Sequence, residues 1–397
     1  MAVNLTNADN ALKSLYLDAI SHQLDNSANP LLSAISKSTN DVWGKEVRKL
    51  CTYGVNGGIG AGTEDGSLPT ASGNNYTQFV TTLKNLYGVV EISDKAIRAS
   101  ENNSGAFVSL LNSEMEGLIR SSTFNFGRML FGDGSGVLAK TTEVKNNLLF
   151  VDSVRNIMEG MIVDVRDASG NIISGLGGRK VVSVNRVLKE IGLAGTSISN
   201  QQFDEGTVIT LQGSYNNEIS GLGAIFGEGE YLYGVNKSQN AWLSPYIKTQ
   251  VGAINELTIQ TALDTIEERS GRGVNFIVCS WGVRRALQQL FGANKRIIDT
   301  MELSGGFKAM NYNGIPIVAD RFCPEGTMYL LNTNDFTLHQ LCDWQWLADD
   351  DGKVLKQVPG KPVYTATLVK YADLICDQPN GQAKFSKIKS TVTNPFN

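Results

Sequence analysis

Apolar residues recur at helical spacing after Ser104. Phe107, Leu111, Met115, Leu118, Ser122, Phe126 and Met129 fall three or four positions apart, which predicts one helix over 104–131 with a single buried stripe. Val108, Ile119 and Leu130 widen the stripe, while Glu114, Glu116 and Arg120 fall on the opposite face. Ser104 is placed to cap the start. Gly132, Gly134 and Gly136 are placed to stop it, since glycine takes the left-handed backbone of a helix end without steric cost. At about 1.5 Å per residue this is a rod of about 40 Å. That length, with one apolar face, suits a structural beam better than the wall of a small-molecule pocket.

Upstream the period changes. YTQFVTTLKNLYGVVEIS, from Tyr76 to Ser93, is rich in Thr, Val, Phe and Tyr and predicts one strand about twice the usual length, with Val47–Tyr53 as an antiparallel partner. Between them, residues 51–75 are dominated by Gly, Ser, Asn and Thr and predict a protruding loop at the end of a two-stranded ribbon. Residues 1–50 hold two short amphipathic segments, around Ala11–Gln23 and Pro30–Ser38, with too few apolar residues for a core of their own. They read as an arm that lies across something else. A short helix is expected over Asp94–Ala99.

Downstream of the glycines, residues 137–150 read as an extended connection. From 150 to 214 short alternating runs at close spacing predict a small inserted β-barrel. Residues 215–256 are irregular. Then a helix over Thr258–Ser270, the buried strand NFIVCS, a helix over Gly282–Phe291 and the strands GIPIVAD and TMYLLNT make an α/β unit, followed by long tail strands that include FTLHQL, YTATLVKYADLICD and QAKFSKIKS. The fold class is therefore α+β. The expected divisions are 1–50, 51–93, 94–149, 150–214, 215–345 and 346–397.

Composition narrows the function. The 397 residues are 42% hydrophobic and 19% charged with a formal net charge of −4, so any contact with DNA is expected to be weak and non-specific. Five scattered cysteines without CxxC spacing read as reduced core residues, and two histidines leave little material for metal sites or triads. The start of the chain lacks the pattern of a signal peptide and no run approaches 18 apolar residues, so a soluble protein with no membrane contact is expected.

Candidate chemistry is thin. GSGVLAKT at Gly134–Thr141 approaches a phosphate loop but follows a helix instead of a strand. Asp349–Asp351 with Gly352 lack two ligand positions of a calcium loop. The neighbours Glu267 and Glu268 point to different azimuths of a helix and cannot share a proton. Cys279 and Ser280 sit at a strand-to-helix junction, but the glycines of a nucleophile elbow are missing and only His339 is available as a base. Trp242, Tyr246, Trp344 and Trp346 read as packing residues, because no Lys or Arg separates Trp344 from Trp346. No catalytic, cofactor-binding or metal-binding residue is assigned, and no enzyme activity is expected. A serine or cysteine hydrolase at Ser280 or Cys279 is the alternative from a different class.

The order of these parts resembles the major capsid protein of tailed bacteriophages, the Hong Kong 97 fold. Two phrases are similar to it: FGDGSG where the long helix ends, and YNGIPIVADRFCPEGTMYLLNT with its strand, proline-containing turn and strand. The resemblance implies an N-terminal arm, an extended loop, a peripheral domain built on the spine helix 104–131, an axial α/β domain and a return to the peripheral sheet. The β module is an insertion relative to the minimal fold. It further implies pentamers and hexamers that close into an icosahedral head around double-stranded DNA, with a separate scaffolding protein and a portal as partners, built in a bacterial cytoplasm and ending in the virion. Candidate intersubunit residues are Glu64, Asp65, Phe79 and Lys84 on the ribbon, Glu114, Glu116 and Arg120 on the spine, and Phe307 and Asn311 in the axial loops around Ser304–Asn313. Residues 51–83 contain no lysine, which disfavours the loop crosslinking of some members. An encapsulin-like compartment is the alternative within the fold.

Overall fold

The computed structural model describes residues 29–95, 104–293, 300–302, 307–348 and 354–390. The first amphipathic segment of the arm, most of the helix expected over Asp94–Ala99, the axial loop at 303–306 and the acidic run at Asp349–Gly352 lie outside them. So do the side chains of Ser104, Phe107 and Leu111.

The long helix runs from Ser104 to Met129. Its middle is amphipathic as its pattern predicts: Met115 and Ile119 are buried while Glu114, Glu116 and Arg120 are exposed. From Phe124 onward burial spreads around the helix and takes in Phe124, Phe126, Gly127, Arg128 and Met129. The end tightens through bonds from Phe131 N to Arg128 O (3.1 Å) and from Gly132 N to Met129 O (3.0 Å). Gly134 and Gly136 follow with φ of 87° and 75°. Gly132, expected to be left-handed too, instead closes the tightened turn.

This spine lies against a sheet whose central strand, Val363–Cys376, pairs antiparallel with Phe336–Trp346 on one side and Lys84–Ser93 on the other. Ser36–Ser38 adds in parallel at the outer edge of Phe336–Trp346. Gly88 permits the close approach of helix and sheet, since a Cβ there would stand 2.9 Å from Leu118 Cδ1. The single long strand expected over Tyr76–Ser93 is in fact two. Asn75–Thr82 pairs with Glu46–Tyr53 to make the ribbon, whereas Lys84–Ser93 belongs to the spine-bearing sheet. Leu83 is the break, its amide donating to Lys45 O at 3.0 Å. Buried positions change there from odd (Phe79, Leu83) to even (Leu86, Val90, Ile92), as a residue passing from one sheet to another requires.

Residues 137–150 are not a connection. Val137–Lys145 and Leu148–Val151 pair with each other and, through Val208–Leu211, Ile162–Arg166, Arg179–Asn185 and Glu190–Leu193, complete a ring of six strands that closes on itself. Leu138, Leu149, Val163, Val165, Val181, Ile191 and Ile209 fill its interior. Lys140, Thr141, Thr142 and Glu143 interrupt the apolar pattern of this stretch. Closure of the ring, which leaves no edge between these strands, makes that interrupted pattern a stave.

A third, seven-stranded sheet runs in the order Tyr246–Lys248, Ala383–Phe385, Met328–Leu331, Phe276–Cys279, Ile315–Ala319, Lys308–Tyr312, Thr300–Glu302. The helices Glu256–Ser270 and Trp281–Ala293 cover it. The first is capped by Asn255, whose side chain accepts from Thr258 N at 2.8 Å, and ends at the left-handed Gly271. Two placements differ from expectation. Phe336–Trp346 leaves this unit for the spine-bearing sheet, and Ala383–Phe385, expected to return to that sheet, joins the axial one instead. The chain therefore crosses between the two sheets twice after Leu331, and a shared core cluster joins Phe276, Val278, Tyr329 and Leu331 to Phe126, Leu130 and Leu374.

Spine, barrel and axial unit meet at one junction. Arg128 donates two parallel bonds to Glu218, Nη1 to Oε2 at 2.8 Å and Nη2 to Oε1 at 2.6 Å, with both side chains buried. Leu222 N donates to Leu130 O (2.8 Å) and Asn216 N to Ser135 O (2.9 Å), which lays the chain leaving the barrel along the end of the spine. Gly221 sits in the tightest part, where a Cβ would press on the carbonyl oxygens of Met129, Leu130 (2.6 Å) and Gly132 (2.7 Å). Gly221→Ala is expected to destabilise the fold by about 3 kcal/mol, the upper part of the range for steric insertion into a packed site. Chemical denaturation followed by circular dichroism measures it.

Candidate assembly surfaces

The ribbon is held at its root and free at its tip. Its strands alternate so that Val47, Cys51 and Phe79 are buried while Arg48, Leu50, Tyr76 and Gln78 are exposed. Phe79 is fully buried, 5.3 Å from the Tyr233 ring and stacked at 6.0 Å on Trp242, which also stacks on Tyr53 at 4.9 Å. Val80 N donates to Tyr233 O at 3.0 Å. Two carboxylates of the strand Val363–Cys376 and its extension tie the root down: Asp373 accepts from the Thr81 hydroxyl and from Ser220 N (2.7 Å), and Asp377 accepts from Lys49 Nζ at 2.8 Å. Burial pushes the Asp373 carboxyl above the usual carboxylate range, against the pull of those donors.

Beyond Tyr53 and Asn75 the chain has no regular pairing, and residues 61–76 are exposed throughout. Val55, Ile59 and Leu68 show 81%, 86% and 90% of their surface. Glu64 and Asp65 lie in this tip and carry its only charges.

The expected contact residues fall on separate elements. Phe79 belongs to the chain's own core, because the ribbon root needs an apolar anchor that a two-stranded ribbon cannot provide alone. Lys84 Nζ donates to Asn216 O at 3.1 Å, bracing the sheet against the junction. Glu116 and Arg120 face each other at 3.6 Å on the exposed side of the spine, an i,i+4 pair of little energetic weight, with Glu114 exposed beside them. Phe307 is half-buried before Lys308–Tyr312, and the Asn311 side chain accepts from Gly314 N at 2.8 Å to close its own turn.

A cleft of about 510 Å³ opens between the edge strand Lys84–Ser93, the spine helix and the barrel, and Tyr87, Gly88, Leu118, Ser122, Ile162 and Leu211 are among its walls. Among the described residues Lys84–Ser93 pairs on one side only, and Tyr87 and Val89 project from it, 60% and 58% exposed.

The hydrolase candidates do not converge. Cys279 is fully buried and its thiol is pushed up to about 12 by burial. Ser280 is buried too, its hydroxyl accepting from Gly326 N at 3.2 Å at the start of Trp281–Ala293. His339 lies in the other sheet, on Phe336–Trp346 opposite Asp373. Gly134–Thr141 leads into a strand, so no helix N-terminus stands behind it to hold phosphate. Among the described residues no group of three or more His, Cys, Asp or Glu side chains is placed to hold a metal ion, and no helix is long and apolar enough to cross a membrane.

No family model and no curated protein matches this sequence. Solved structures do. A chain of the cyanophage A-1(L) capsid asymmetric unit superposes with a TM-score of 0.55 at 12% identity, over 91% of this chain and 93% of that one. The fold is that of a phage capsid subunit. The SrpI encapsulin of Synechococcus elongatus PCC 7942 (TM-score 0.49, 11% identity, 95% and 97% covered) and Mycobacterium phage Bobi (0.46, 8%, 92% of each) are also similar, at scores that add no argument.

Within this capsid fold the barrel is braced on the axial unit by Arg155, whose guanidinium Nε donates to Arg321 O at 3.0 Å. Beside that contact lies Asp320, whose Oδ1 accepts from Phe322 N at 2.8 Å while Oδ2 is buried without a hydrogen-bond partner among the described residues. Burial raises its carboxyl to about 6, outweighing the Phe322 amide, Arg155 and Arg321. A raised carboxyl favours the fold below its unfolded value near 3.8, and that advantage is lost as pH rises through about 6. Asp320→Asn keeps the acceptor for Phe322 N and removes the titration. Its stability relative to wild type is therefore expected to rise by about 2 kcal/mol between pH 4 and pH 7, measured by denaturation at a series of pH values.

Proposed function

We propose that this chain is the major capsid protein of a tailed-phage head, a structural subunit that self-assembles into pentamers and hexamers of a closed shell enclosing double-stranded DNA. The capsid fold shared with the cyanophage A-1(L) subunit across nine-tenths of both chains carries the reading. The exposed tip beyond a firmly anchored ribbon root supports it, because a monomer has no use for 21 residues of apolar-bearing chain held away from its core. Ribbons lap over neighbouring spines, where Glu114, Glu116 and Arg120 and the cleft beside Tyr87 are accessible. Phe307 and Asn311 face the capsomer centre, and Glu64 and Asp65 reach a neighbour from the tip. The closed barrel is an insertion relative to the minimal fold, and assembly proceeds with a separate scaffolding protein and a portal in a bacterial cytoplasm. With a net charge of −4 the inner wall holds DNA only weakly and non-specifically.

Purified full-length protein is expected to form closed shells in negative-stain images, whereas a soluble monomer with esterase turnover would replace this reading with a hydrolase. Deleting residues 55–74 should abolish shells while leaving the monomer's circular dichroism and melting unchanged. Shells that form normally without the tip would remove its assigned role.

A further inference from the structure

The barrel carries a turn of the wrong polarity for solvent. Between Arg179–Asn185 and Glu190–Leu193 the chain reverses through Arg186, Val187, Leu188 and Lys189, and Val187 and Leu188 are 74% and 60% exposed. Turns ordinarily carry polar residues and glycine. This one is built, not frayed: the Asn185 side chain accepts from both Val187 N and Leu188 N at 3.1 Å, Lys189 is left-handed (φ 54°), and Lys189 Nζ donates to Asp152 O at 3.1 Å. Residues 180–189 include three cations, Lys180, Arg186 and Lys189, and no carboxylate. Val182, 55% exposed, and Lys180 continue the same outward face back along the strand to Ile162, which pairs with Lys180 and lines the cleft beside the spine.

The ribbon tip has the complementary character. Residues 54–74 carry two carboxylates, Glu64 and Asp65, and no cation, with Val55, Ile59 and Leu68 exposed among them. Neither carboxylate makes an ion pair with a described residue, and both surfaces are bare in the same chain, so they do not satisfy each other within one subunit. A loop of this length doubled back on itself reaches about 30 Å from the ribbon end, more than the roughly 16 Å from Lys180 to the hairpin turn.

We infer that the hairpin face Lys180–Lys189 of the barrel is the docking surface for the ribbon tip of a second copy of this chain, with Val187 and Leu188 packing on Ile59 and Leu68 and the cations meeting Glu64 and Asp65. The inference rests on the shell reading and adds to it the place where the tip lands. One tip and one receptor per chain make a heterologous contact, which closes into rings when the rotation allows. The barrel then serves as a clasp that reports, by assembly, that a neighbour's ribbon is in place.

The test uses full-length chains and two readouts. Asp65→Cys and Leu188→Cys chains are mixed under assembly conditions and oxidised. A covalent dimer between the two variants is expected at least tenfold above either variant alone. The charge reversal K180E/R186E is expected to lower shell yield at least tenfold at low salt without shifting the melting temperature, and adding E64K/D65K to the same chain is expected to restore it. Normal shells from K180E/R186E, or shells that give no Asp65→Cys to Leu188→Cys dimer, would overturn the clasp while leaving the shell reading intact. A wild-type chain that stays monomeric would overturn both.

Discussion

The buried pair of Arg128 and Glu218 is the constraint on which the arrangement of parts depends. Taking two charges out of water is costly, and the cost is offset only where geometry gives paired, short hydrogen bonds; here both guanidinium Nη atoms meet both carboxylate oxygens at 2.6 and 2.8 Å. Arg128 lies one residue before the end of the spine, and Glu218 lies on the chain just released by the barrel. The pair therefore sets where the barrel begins and ends relative to the spine. Gly136 and Gly221 let backbone pass backbone at the same place, since a Cβ at either would meet carbonyl oxygens. A rod, a closed ring and an α/β sheet thus leave one junction in defined directions, as a subunit that must match identical neighbours requires.

The ribbon repeats this logic on a smaller scale. Its root spends its polar groups inward, on Asp373 and Asp377, and its aromatic residues on a stack of Tyr53, Trp242 and Phe79. Its tip keeps apolar and acidic groups outward. A two-stranded ribbon is marginal on its own in water, so the rigid root is what lets the tip be presented at all. The barrel hairpin is the mirror case, a rigid closed ring holding two apolar side chains in a turn. Both features look unfavourable in an isolated chain and become useful only between chains.

Local pattern carried far where an element's partners are near in sequence or its face is single. The spine was legible because its middle has one buried face, and the ribbon because Val47–Tyr53 and Asn75–Thr82 are joined by the loop between them. The break at Leu83 was also written in the chain, as a change in parity between Phe79 and Leu86, but the continuous β-forming composition of the stretch hid it. Val187 ends the alternating run VVSVNRV, so the local pattern reads it as strand, and only the fold shows it with Leu188 in an exposed turn. Phe79 alternates with polar neighbours as any ribbon residue does, and only its burial places it in the chain's own core.

The amino-acid sequence by itself determined the kinds of element, their order and the polarity of their faces, because helical and strand periods, caps and glycines act over a few residues. The tertiary structure alone decided that residues 137–150 are staves of a closed ring, that Phe336–Trp346 and Ala383–Phe385 belong to opposite sheets, and that Arg128 finds Glu218 across 90 positions. Those outcomes depend on hydrogen bonds and ion pairs between distant segments, whose partners are chosen by which arrangement pairs most of the buried polar groups and strand edges.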